Sequence, residues 1–402
     1  MLKLNHLNYY RLPWNLTDNS ISWLEPTAAC NLACDGCYRK NEKNSHKSLS
    51  VVKEELDVFT RLRNCDGVSI AGGDPLMHPD IIEIVKEVKK RNLKPIINTN
   101  GLSLTKELLH ELKKAGVFGF TFHIDSKQGR PGWRDKNELE LNELRLHYAK
   151  MLAEEGGISC SFNSTVYEDT MQYIPGMIKW AQEHIDIVQV MVFILYRAVN
   201  NDLVDFYLGP KKIDMSKLVY NEETTERTDI KAEEIVELIR KEVDPEFDPC
   251  AYLNGSEKPD SFKWLLTGRL GTREKIYGYV GSKAMEIVQT FYHLFNNKYL
   301  AYARPKDAGM GRSMLLLSPF DKKLKKTFFN YYSNPLNFFR KLYYQSIMII
   351  QPVDFLEDGR QNMCDGCPDI TVWNGKLVWS CRMEEQINFG HNIKSYPKGL
   401  FS

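Results

Sequence analysis

The sequence has no apolar run long enough to cross a lipid bilayer and almost no excess of charge of either sign. Its 53 basic side chains are balanced by 52 acidic ones, which gives a formal net charge of +1. A chain without net charge has no overall attraction for nucleic acid. Residues 1–6 also lack the apolar core and cleavage site of a signal peptide. We therefore expect a cytoplasmic protein that binds no nucleic acid.

Internal repeats and low-complexity segments are absent as well. The 402 residues include 43% hydrophobic and 26% charged side chains, which is an ordinary composition for a globular protein. A chain of this length can form one large domain together with a smaller one.

The cysteines do not suit a framework of disulfides, because there are nine of them and the chain shows no sign of secretion. Cys65 and Cys160 stand singly among apolar neighbours, and we interpret both as core residues. Six of the others form two groups of three: Cys30, Cys34 and Cys37, and Cys364, Cys367 and Cys381.

The first group places three thiols in one short loop, with three residues between the first pair and two between the second. Thiolates are the usual ligands of iron–sulfur clusters, and three ligands leave one iron of a [4Fe–4S] cube free. Zinc is the alternative, although a structural zinc site needs four ligands and no nearby His or Cys supplies the fourth.

The Cys-x3-Cys-x2-Cys spacing resembles the signature of the radical S-adenosylmethionine (radical SAM) enzymes. The resemblance implies that Cys30, Cys34 and Cys37 hold an oxygen-sensitive [4Fe–4S] cluster whose open iron binds SAM. In this family an electron from the cluster cleaves SAM to methionine and a 5′-deoxyadenosyl radical. An aromatic residue near the adenine often precedes the third cysteine, but this chain has Gly36 there. Tyr38 follows the third cysteine and is a candidate for cofactor binding.

Strand-like and helix-like periodicities alternate over the first half of the chain. This alternation predicts βαβ units and a parallel sheet, and the family resemblance implies an α/β fold with a partial (β/α)6 TIM-type barrel. The predicted strands are residues 21–25, 67–71, 95–97, 119–124, 158–166 and 187–195.

Short polar motifs follow several of these strands, at the end of a barrel where function gathers. Gly72, Gly73 and Asp74 resemble the Gly-Gly-Glu-Pro element that binds the methionyl amino group of SAM, and a simple Gly-rich turn is the alternative. In the family, the ends of the following strands face the ribose and the methionine carboxylate. Turn and helix-cap roles are the alternatives there. The candidates at these ends are Asn98, Asn100, Asp125, Ser126 and Asn163.

The second group of cysteines surrounds a predicted β-hairpin whose turn is Asn-Gly. This arrangement resembles the auxiliary-cluster modules of the twitch and SPASM types, and the spacing is close to that of the GTP cyclase of molybdenum-cofactor synthesis. It implies a second [4Fe–4S] cluster held by Cys364, Cys367 and Cys381, with zinc as the rival. Cys250 or His391 is the candidate fourth ligand; if neither binds, an open iron is free for substrate.

Residues 312–350 interleave basic and aromatic side chains and predict two amphipathic helices separated near Pro335. Such a segment lies at a membrane surface, lines an apolar substrate channel, or buries its aromatic face against the barrel. We divide the chain into an N-terminal extension (1–20), the barrel (21–200), a linker and helical substrate-shaping region (201–350) and a C-terminal auxiliary-cluster module with the hairpin (351–402).

These features together predict a radical SAM enzyme that abstracts hydrogen from an unactivated C–H bond. The predicted substrate is a small or lipid-like molecule with an apolar chain. The predicted partners are an external one-electron reductant of the flavodoxin or ferredoxin type and a membrane that the protein contacts at its surface. The alternatives are an enzyme that modifies a peptide or protein, and a non-catalytic iron–sulfur scaffold or electron carrier.

Overall fold

The computed structural model describes residues 4–198, 204–215, 218, 227–356 and 358–400. Over residues 21–195 strands alternate with helices, as their periodicities predict. The strands in this half are β1 (Tyr10–Arg11), β2 (Ile21–Thr27), β3 (Gly67–Gly72), β4 (Lys94–Thr99), β5 (Gly119–His123), β6 (Ser159–Val166) and β7 (Val190–Leu195). The helices are α1 (Leu49–Leu62), α2 (Ile81–Lys90), α3 (Lys106–Ala115), α4 (Asn142–Glu155) and α5 (Ile174–Glu183).

Strands β2 to β7 are parallel and lie side by side in chain order. Each helix covers the sheet with its apolar stripe; α2, for example, buries Ile84, Val85 and Val88. Side-chain caps fix two of the helix starts, since Ser48 accepts a hydrogen bond from the third residue of α1 and Thr105 from the third residue of α3. The predicted α/β fold with a partial barrel is confirmed.

The second half of the chain adds further strands and helices. Its strands are β8 (Val204–Leu208), β9 (Lys211–Lys212), β10 (Ala251–Leu253), β11 (Trp264–Gly271), β12 (Ile276–Tyr279), β13 (Tyr343–Ile350), β14 (Asp354–Phe355), β15 (Gln361–Asn362), β16 (Ile370–Trp373), β17 (Lys376–Trp379) and β18 (Lys394–Pro397). Its helices are α6 (Ala232–Glu242), α7 (Ser282–Asn296), α8 (Pro305–Ala308), α9 (Gly311–Met314), α10 (Lys322–Tyr332) and α11 (Met383–Phe389). None of the described helices is long and apolar enough to span a membrane.

The region 201–350 differs from the predicted linker and helices. Only α10 and a 3-10 turn over Pro335–Phe339 match the helices predicted around Pro335, whereas β13 pairs in parallel with β7 and becomes a seventh parallel strand. Residues 347–350 are apolar at every position, because a parallel strand is covered on both faces. The sequence therefore lacks the alternation of apolar and polar residues by which a strand is recognised. The predicted linker, 201–230, lies partly outside the described residues, and its described part includes β8 and β9.

Antiparallel strands continue the sheet beyond β13. Strand β11 pairs with β13, β10 and β12 pair with β11, and β1 pairs with β10. The predicted N-terminal extension therefore contributes a strand to the central sheet. The boundaries of the four segments stay a prediction, but the helical description of 201–350 is wrong for β10 to β13, which are strands of the central sheet.

The C-terminal segment lies along β2, at the free edge of the parallel sheet. Strands β16 and β17 form the predicted hairpin, with Asn374 and Gly375 at φ of 48° and 73°, as a two-residue turn of this type requires. The Arg63 guanidinium donates hydrogen bonds to the carbonyls of Cys367 (3.0 Å) and Pro368 (3.2 Å). The segment thus covers an edge that would otherwise present unpaired backbone groups.

Candidate active site

A cavity of about 300 Å³ opens at the carboxyl ends of the parallel strands. We call it the upper cavity. The first cysteine group lines it together with residues at the ends of strands β3 to β7. The predicted residues in its lining are Cys30, Cys34, Cys37, Tyr38, Gly72, Gly73, Asn98, Asn100, Asp125, Asn163 and Cys381, whereas Asp74 and Ser126 are outside it.

Hydrogen bonds hold the loop of the first three thiols in place. Asn41 donates from Nδ2 to the carbonyl of Cys30 (2.9 Å) and accepts from the Cys30 backbone N–H at Oδ1 (3.1 Å). Burial raises the pKa of the Cys34 thiol far above its usual range, and the nearby Asp125, Cys37 and Cys30 raise it further. Thiols that oppose one another's ionisation become thiolates when a cationic centre binds them.

This donor set fits an iron–sulfur cluster, because three cysteine thiols on one loop all line the same cavity. Among the described residues, no group of three or more His, Cys, Asp or Glu side chains is arranged to hold a single metal ion. The resemblance drawn from the cysteine spacing therefore has a matching site in three dimensions.

The two glycines after β3 allow close approach of the cysteine loop. A β-carbon on Gly72 would lie 2.2 Å from the carbonyl oxygen of Thr27, and one on Gly73 would lie 2.2 Å from that of Ala29. The backbone N–H of Gly73 instead donates to the Thr27 carbonyl at 2.8 Å. Side chains are excluded here by backbone contact, so this pair positions the loop as well as lining the cavity.

The structure corrects the prediction that the Asp74 carboxylate faces the cofactor. Asp74 is fully buried and accepts hydrogen bonds from the backbone of Leu76 (2.9 Å), from the Thr99 hydroxyl (2.7 and 2.9 Å) and from the backbone of Asn100 (2.8 Å). Burial raises the pKa of Asp74, and the hydrogen bonds offset only part of this effect. Its carboxylate ties the end of β3 to the end of β4 and acts as a positioning group.

Three amide side chains lie close to the first cysteine group or below it. Asn100 donates from Nδ2 to the Cys30 sulfur (3.7 Å) and to Oδ1 of Asn31 (2.7 Å). Within the described part of the chain, Nδ2 of Asn98 and Oδ1 of Asn163 are buried without a hydrogen-bond partner. Such atoms favour a polar ligand in the cavity, because an unsatisfied buried amide is costly.

At the end of β5 the structure separates two neighbouring candidates. The Asp125 carboxylate accepts hydrogen bonds from His123 (2.8 Å) and from the backbone of Thr165 (3.3 Å) and Lys127 (3.1 Å). Burial disfavours its charge, but these hydrogen bonds outweigh burial and hold its pKa below the usual value. Ser126 is outside the lining of the upper cavity and its backbone N–H donates to Glu138 (2.7 Å), and its role as a cofactor contact stays a prediction.

The end of β7 contributes two lining residues that the sequence did not indicate. The Tyr196 ring lies beside Gly36, and the Arg197 side chain donates to the Tyr196 carbonyl at 2.7 Å. Burial lowers the pKa of Arg197 to about 10, so its guanidinium stays charged at neutral pH. In the sequence, only the position of these two residues directly after the sixth predicted strand indicated that they could line the site.

The second cysteine group also comes together in space. The Cys364 and Cys367 thiols are close enough to affect each other's ionisation, and Cys381 is close enough to act electrostatically on Cys367. Cys364 and Cys367 are buried, whereas Cys381 lines the upper cavity. These three thiols are therefore the candidate ligands of a centre at the edge of that cavity.

The predicted fourth ligands lie elsewhere. The Cys250 thiol donates a hydrogen bond to the carbonyl of Leu266 at 3.2 Å and is close to Lys323 and Tyr344. It fills the core beside β11, because a thiol in an apolar setting behaves as a small hydrophobic group. His391 is exposed. Neither position supports the predicted role as a cluster ligand.

A buried ion pair joins the two cysteine groups. The Arg39 guanidinium, two residues after Cys37, bonds both carboxylate oxygens of Glu25 (2.6 and 2.8 Å) and the carbonyl of Ser380 (2.8 Å). The Ser380 hydroxyl also donates to Glu25 (2.7 Å). The first cysteine loop is thereby fixed to the residue that precedes Cys381.

A second cavity of about 350 Å³ fills the interior of the barrel below the first. We call it the lumen cavity. It adjoins the upper cavity, since both are lined by Trp23, Asn98, Thr121, Asn163 and Ile194. Its other lining is mostly apolar, with Leu266, Met285, Met314 and Met348 as examples. Small side chains such as Ser69 and Ser346 point into the barrel where bulky residues usually fill it.

Comparison with protein families supports the interpretation of the upper cavity. Residues 24–181 match the model of the radical SAM superfamily. The chain carries a radical SAM domain. This match runs from within β2 to within α5 and includes the first cysteine group, the two glycines and Asp125, so the predicted resemblance of this region to the radical SAM superfamily is confirmed.

The curated relatives resemble part of the chain. A tungsten-containing aldehyde ferredoxin oxidoreductase cofactor-modifying protein of Pyrococcus furiosus is 33% identical over 106 residues, which cover 26% of this chain and 30% of that protein. An AdoMet-dependent heme synthase of Nitratidesulfovibrio vulgaris is 27% identical over 199 residues, 46% of this chain and 51% of that protein. The chain thus spans about half or less of these relatives.

Among solved structures, Streptococcus suis SuiB aligns with a TM-score of 0.41 and 14% identity over 56% of this chain and 46% of that one. This similarity is too low to support an inference about the function of the chain.

Proposed function

We propose that the protein is a radical SAM enzyme that abstracts a hydrogen atom from a C–H bond of an apolar small molecule. A [4Fe–4S] cluster with SAM supplies, when bound, the 5′-deoxyadenosyl radical that removes the hydrogen atom. The proposal depends most on one observation: the cavity of the three thiols adjoins a largely apolar lumen, and the two share lining residues. A substrate in the lumen would lie below the cofactor among mostly apolar side chains.

The protein's own residues bind and orient in this scheme. Cys30, Cys34 and Cys37 would hold the cluster, while the amide of Asn100 donates to the Cys30 sulfur. The ionised Asp125 is ready to accept hydrogen bonds from hydroxyl or ammonium groups. These groups are rigid before any ligand arrives, because backbone and side-chain hydrogen bonds already fix them.

The lumen cavity supports a substrate that is apolar over most of its length and polar at a few points. Asn98 and Asn163 offer amide atoms at the junction of the two cavities, and Ser69 and Gln189 offer buried polar atoms within the lumen. Polar groups at a few fixed positions orient a ligand that apolar contacts retain. Relatives named for heme synthesis and for cofactor modification support a small molecule over a peptide.

We further propose that Cys364, Cys367 and Cys381 hold an auxiliary [4Fe–4S] cluster. Cys250 faces the core, so the fourth position is left to a group other than cysteine. Electrons would come from an external flavodoxin or ferredoxin. We place the protein in the cytoplasm, where thiols stay reduced.

Anaerobic reconstitution with iron and sulfide tests the proposal. With dithionite and SAM the protein should release 5′-deoxyadenosine, and Cys34→Ala should abolish this while Cys65→Ala retains it. Cys65 is a matched control because it is a buried thiol bonded to Ser22 (3.4 Å), away from the cavities. Iron binding without 5′-deoxyadenosine would show a scaffold or electron carrier instead.

A further inference from the structure

Large apolar side chains are exposed on one segment of the chain, the residues between α9 and β13. Phe339 is 90% exposed and Leu316 is 77% exposed. Soluble monomers rarely expose apolar groups at this density without a partner. We define the basal surface by six exposed residues: Leu316, Phe320, Phe329, Leu336, Phe338 and Phe339.

The elements that carry these residues pack together. Leu315, Leu324 and Tyr331 belong to one buried cluster beneath them. The Tyr332 ring contacts Phe338 with 4.6 Å between ring centroids. The exposed residues are therefore the outer side of a folded unit, and their exposure is not that of a loose loop.

This unit lies at the base of the barrel, at the amino ends of the parallel strands. The backbone N–H of Gly311 donates to the carbonyl of Leu342, directly before β13. Tyr302, which precedes this unit in the chain, accepts a hydrogen bond at its carbonyl from the ammonium group of Lys94, the first residue of β4 (3.0 Å). The basal surface is thus at the end of the barrel opposite the cysteine loop.

Positive charge surrounds the exposed aromatic rings. Within residues 310–341 the sequence has seven Lys and Arg residues but one acidic residue, Asp321. Asp321 is buried and caps α10 by accepting the backbone N–H of Leu324 (2.9 Å), so it does not offset the charge at the surface. Two lysines of this segment are paired with carboxylates from elsewhere in the chain, Lys326 with Glu246 and Lys323 with Asp248. The exposed basic side chains outside these pairs are Arg312, Lys322, Lys325, Arg340 and Lys341.

The mouth of the lumen cavity adjoins this surface. Met310 and Ser313 line the lumen and are exposed at the same time, so the lumen opens between them. Arg312 lies between these two residues and donates from Nη1 to the carbonyl of Phe338 at 2.8 Å. One hydrogen bond therefore joins the rim of the opening to the exposed aromatic residues.

We propose that the basal surface docks on an anionic lipid bilayer, with the lumen mouth turned toward the membrane. Aromatic rings insert between lipid chains and basic groups contact the headgroup phosphates, which is how peripheral proteins bind such surfaces. A membrane-borne molecule with an apolar chain then enters the lumen without crossing water. Docking on the bilayer does not depend on the proposed radical reaction, whereas entry of a substrate into the lumen rests on the proposed function.

Vesicle flotation of the reconstituted full chain tests the docking. We expect binding to vesicles that contain phosphatidylglycerol, weaker binding to phosphatidylcholine alone, and loss of binding at high salt. Phe339→Ser should reduce the bound fraction, and Arg340→Glu with Lys341→Glu should weaken binding about tenfold or more. Ile387→Ser on α11, where the side chain is 48% exposed, should bind like the wild type.

Two results would overturn the proposal. The first is equal flotation of the wild type, Phe339→Ser and the charge-reversal variant. The second is a wild-type dimer in light scattering that Phe339→Ser converts to monomer without any vesicle binding, because the surface would then cover a second copy of the chain. Release of 5′-deoxyadenosine by Phe339→Ser, measured in parallel, reports separately on the proposed chemistry.

Discussion

The ring of Tyr196 occupies the space beside Gly36. A β-carbon at position 36 would lie 2.7 Å from Cε2 of Tyr196 and 3.3 Å from the Tyr167 hydroxyl. The two tyrosine rings are 4.8 Å apart. An aromatic residue is common at position 36 in the family, and here β7 supplies an aromatic ring at that place from the far side of the barrel.

Tyr196 should therefore contribute to SAM binding. Replacement by alanine is expected to weaken SAM binding about tenfold, since stacking of a base on an aromatic ring is worth about 1–3 kcal/mol. Tyr196→Phe should bind nearly as well as the wild type. Equilibrium dialysis of SAM with the reconstituted protein measures the effect, and unchanged affinity in Tyr196→Ala would contradict it.

Gly36 should not tolerate a side chain. Its φ of 64° favours glycine, and a methyl group would also meet the Tyr196 ring. Gly36→Ala is expected to lower the iron content after reconstitution. Combining it with Tyr196→Ala should recover part of the loss, because the steric component disappears while the backbone strain persists. A double variant no better than Gly36→Ala would show that strain alone is responsible.

Asp74 should matter for stability through its hydrogen bonds. Asp74→Ala leaves the backbone N–H of Asn100 and the Thr99 hydroxyl without their acceptor, and we expect a loss of about 2–4 kcal/mol in the free energy of unfolding. Denaturant titration of the metal-free protein measures it. Asp57→Ala is the control: its carboxylate pairs with Arg91 at the surface and should cost under about 1 kcal/mol.

Removing Glu25 should loosen the junction of the two cysteine groups. Glu25→Ala removes the carboxylate that is hydrogen-bonded to the buried Arg39 and leaves only the more distant Glu384, at 3.9 Å, which is expected to cost about 3–5 kcal/mol. Protection from hydrogen exchange should fall both around residues 30–41 and around 370–385. Asp186→Ala, which breaks an exposed pair with Arg273, should leave both segments protected. Loss of protection in one segment only would contradict the junction.

His78 should make the stability of the metal-free protein depend on pH. Its Nε2 bonds the carbonyl of Lys47 (2.8 Å), and its Nδ1 accepts the backbone N–H of Asp80 (3.0 Å). Burial lowers its pKa in the folded state. The unfolded chain therefore takes up a proton first as the pH falls below about 6.5, and stability decreases. His78→Gln should flatten this part of the curve of unfolding free energy against pH; an unchanged slope would exclude His78.

The barrel was predictable because its strands and helices alternate regularly and each carries its own periodicity. Strand β13 was not predictable, since its apolar run is typical of a buried helix as much as of a buried strand. Its neighbour β7 is also about 150 residues earlier in the chain. Its position only becomes evident once the sheet is assembled.

The spacing of the cysteines predicted that each group of three thiols lies close together, as the proposed clusters require. The orientation of Asp74 and the position of Tyr196 were not, because both depend on contacts between different strands. Cys250 shows the same limit. It was chosen as a ligand because it was the one cysteine left unassigned, and the sequence does not determine where its thiol points.

The bond from Arg39 to Ser380 joins residues 341 positions apart. A ribosome that has made the whole barrel has therefore not yet made the segment that covers β2. Until that segment emerges, Arg39 and Glu25 lack their hydrogen bonds to Ser380. The contact between the two cysteine groups therefore forms only after residues 370–385 have been made, late relative to the barrel itself.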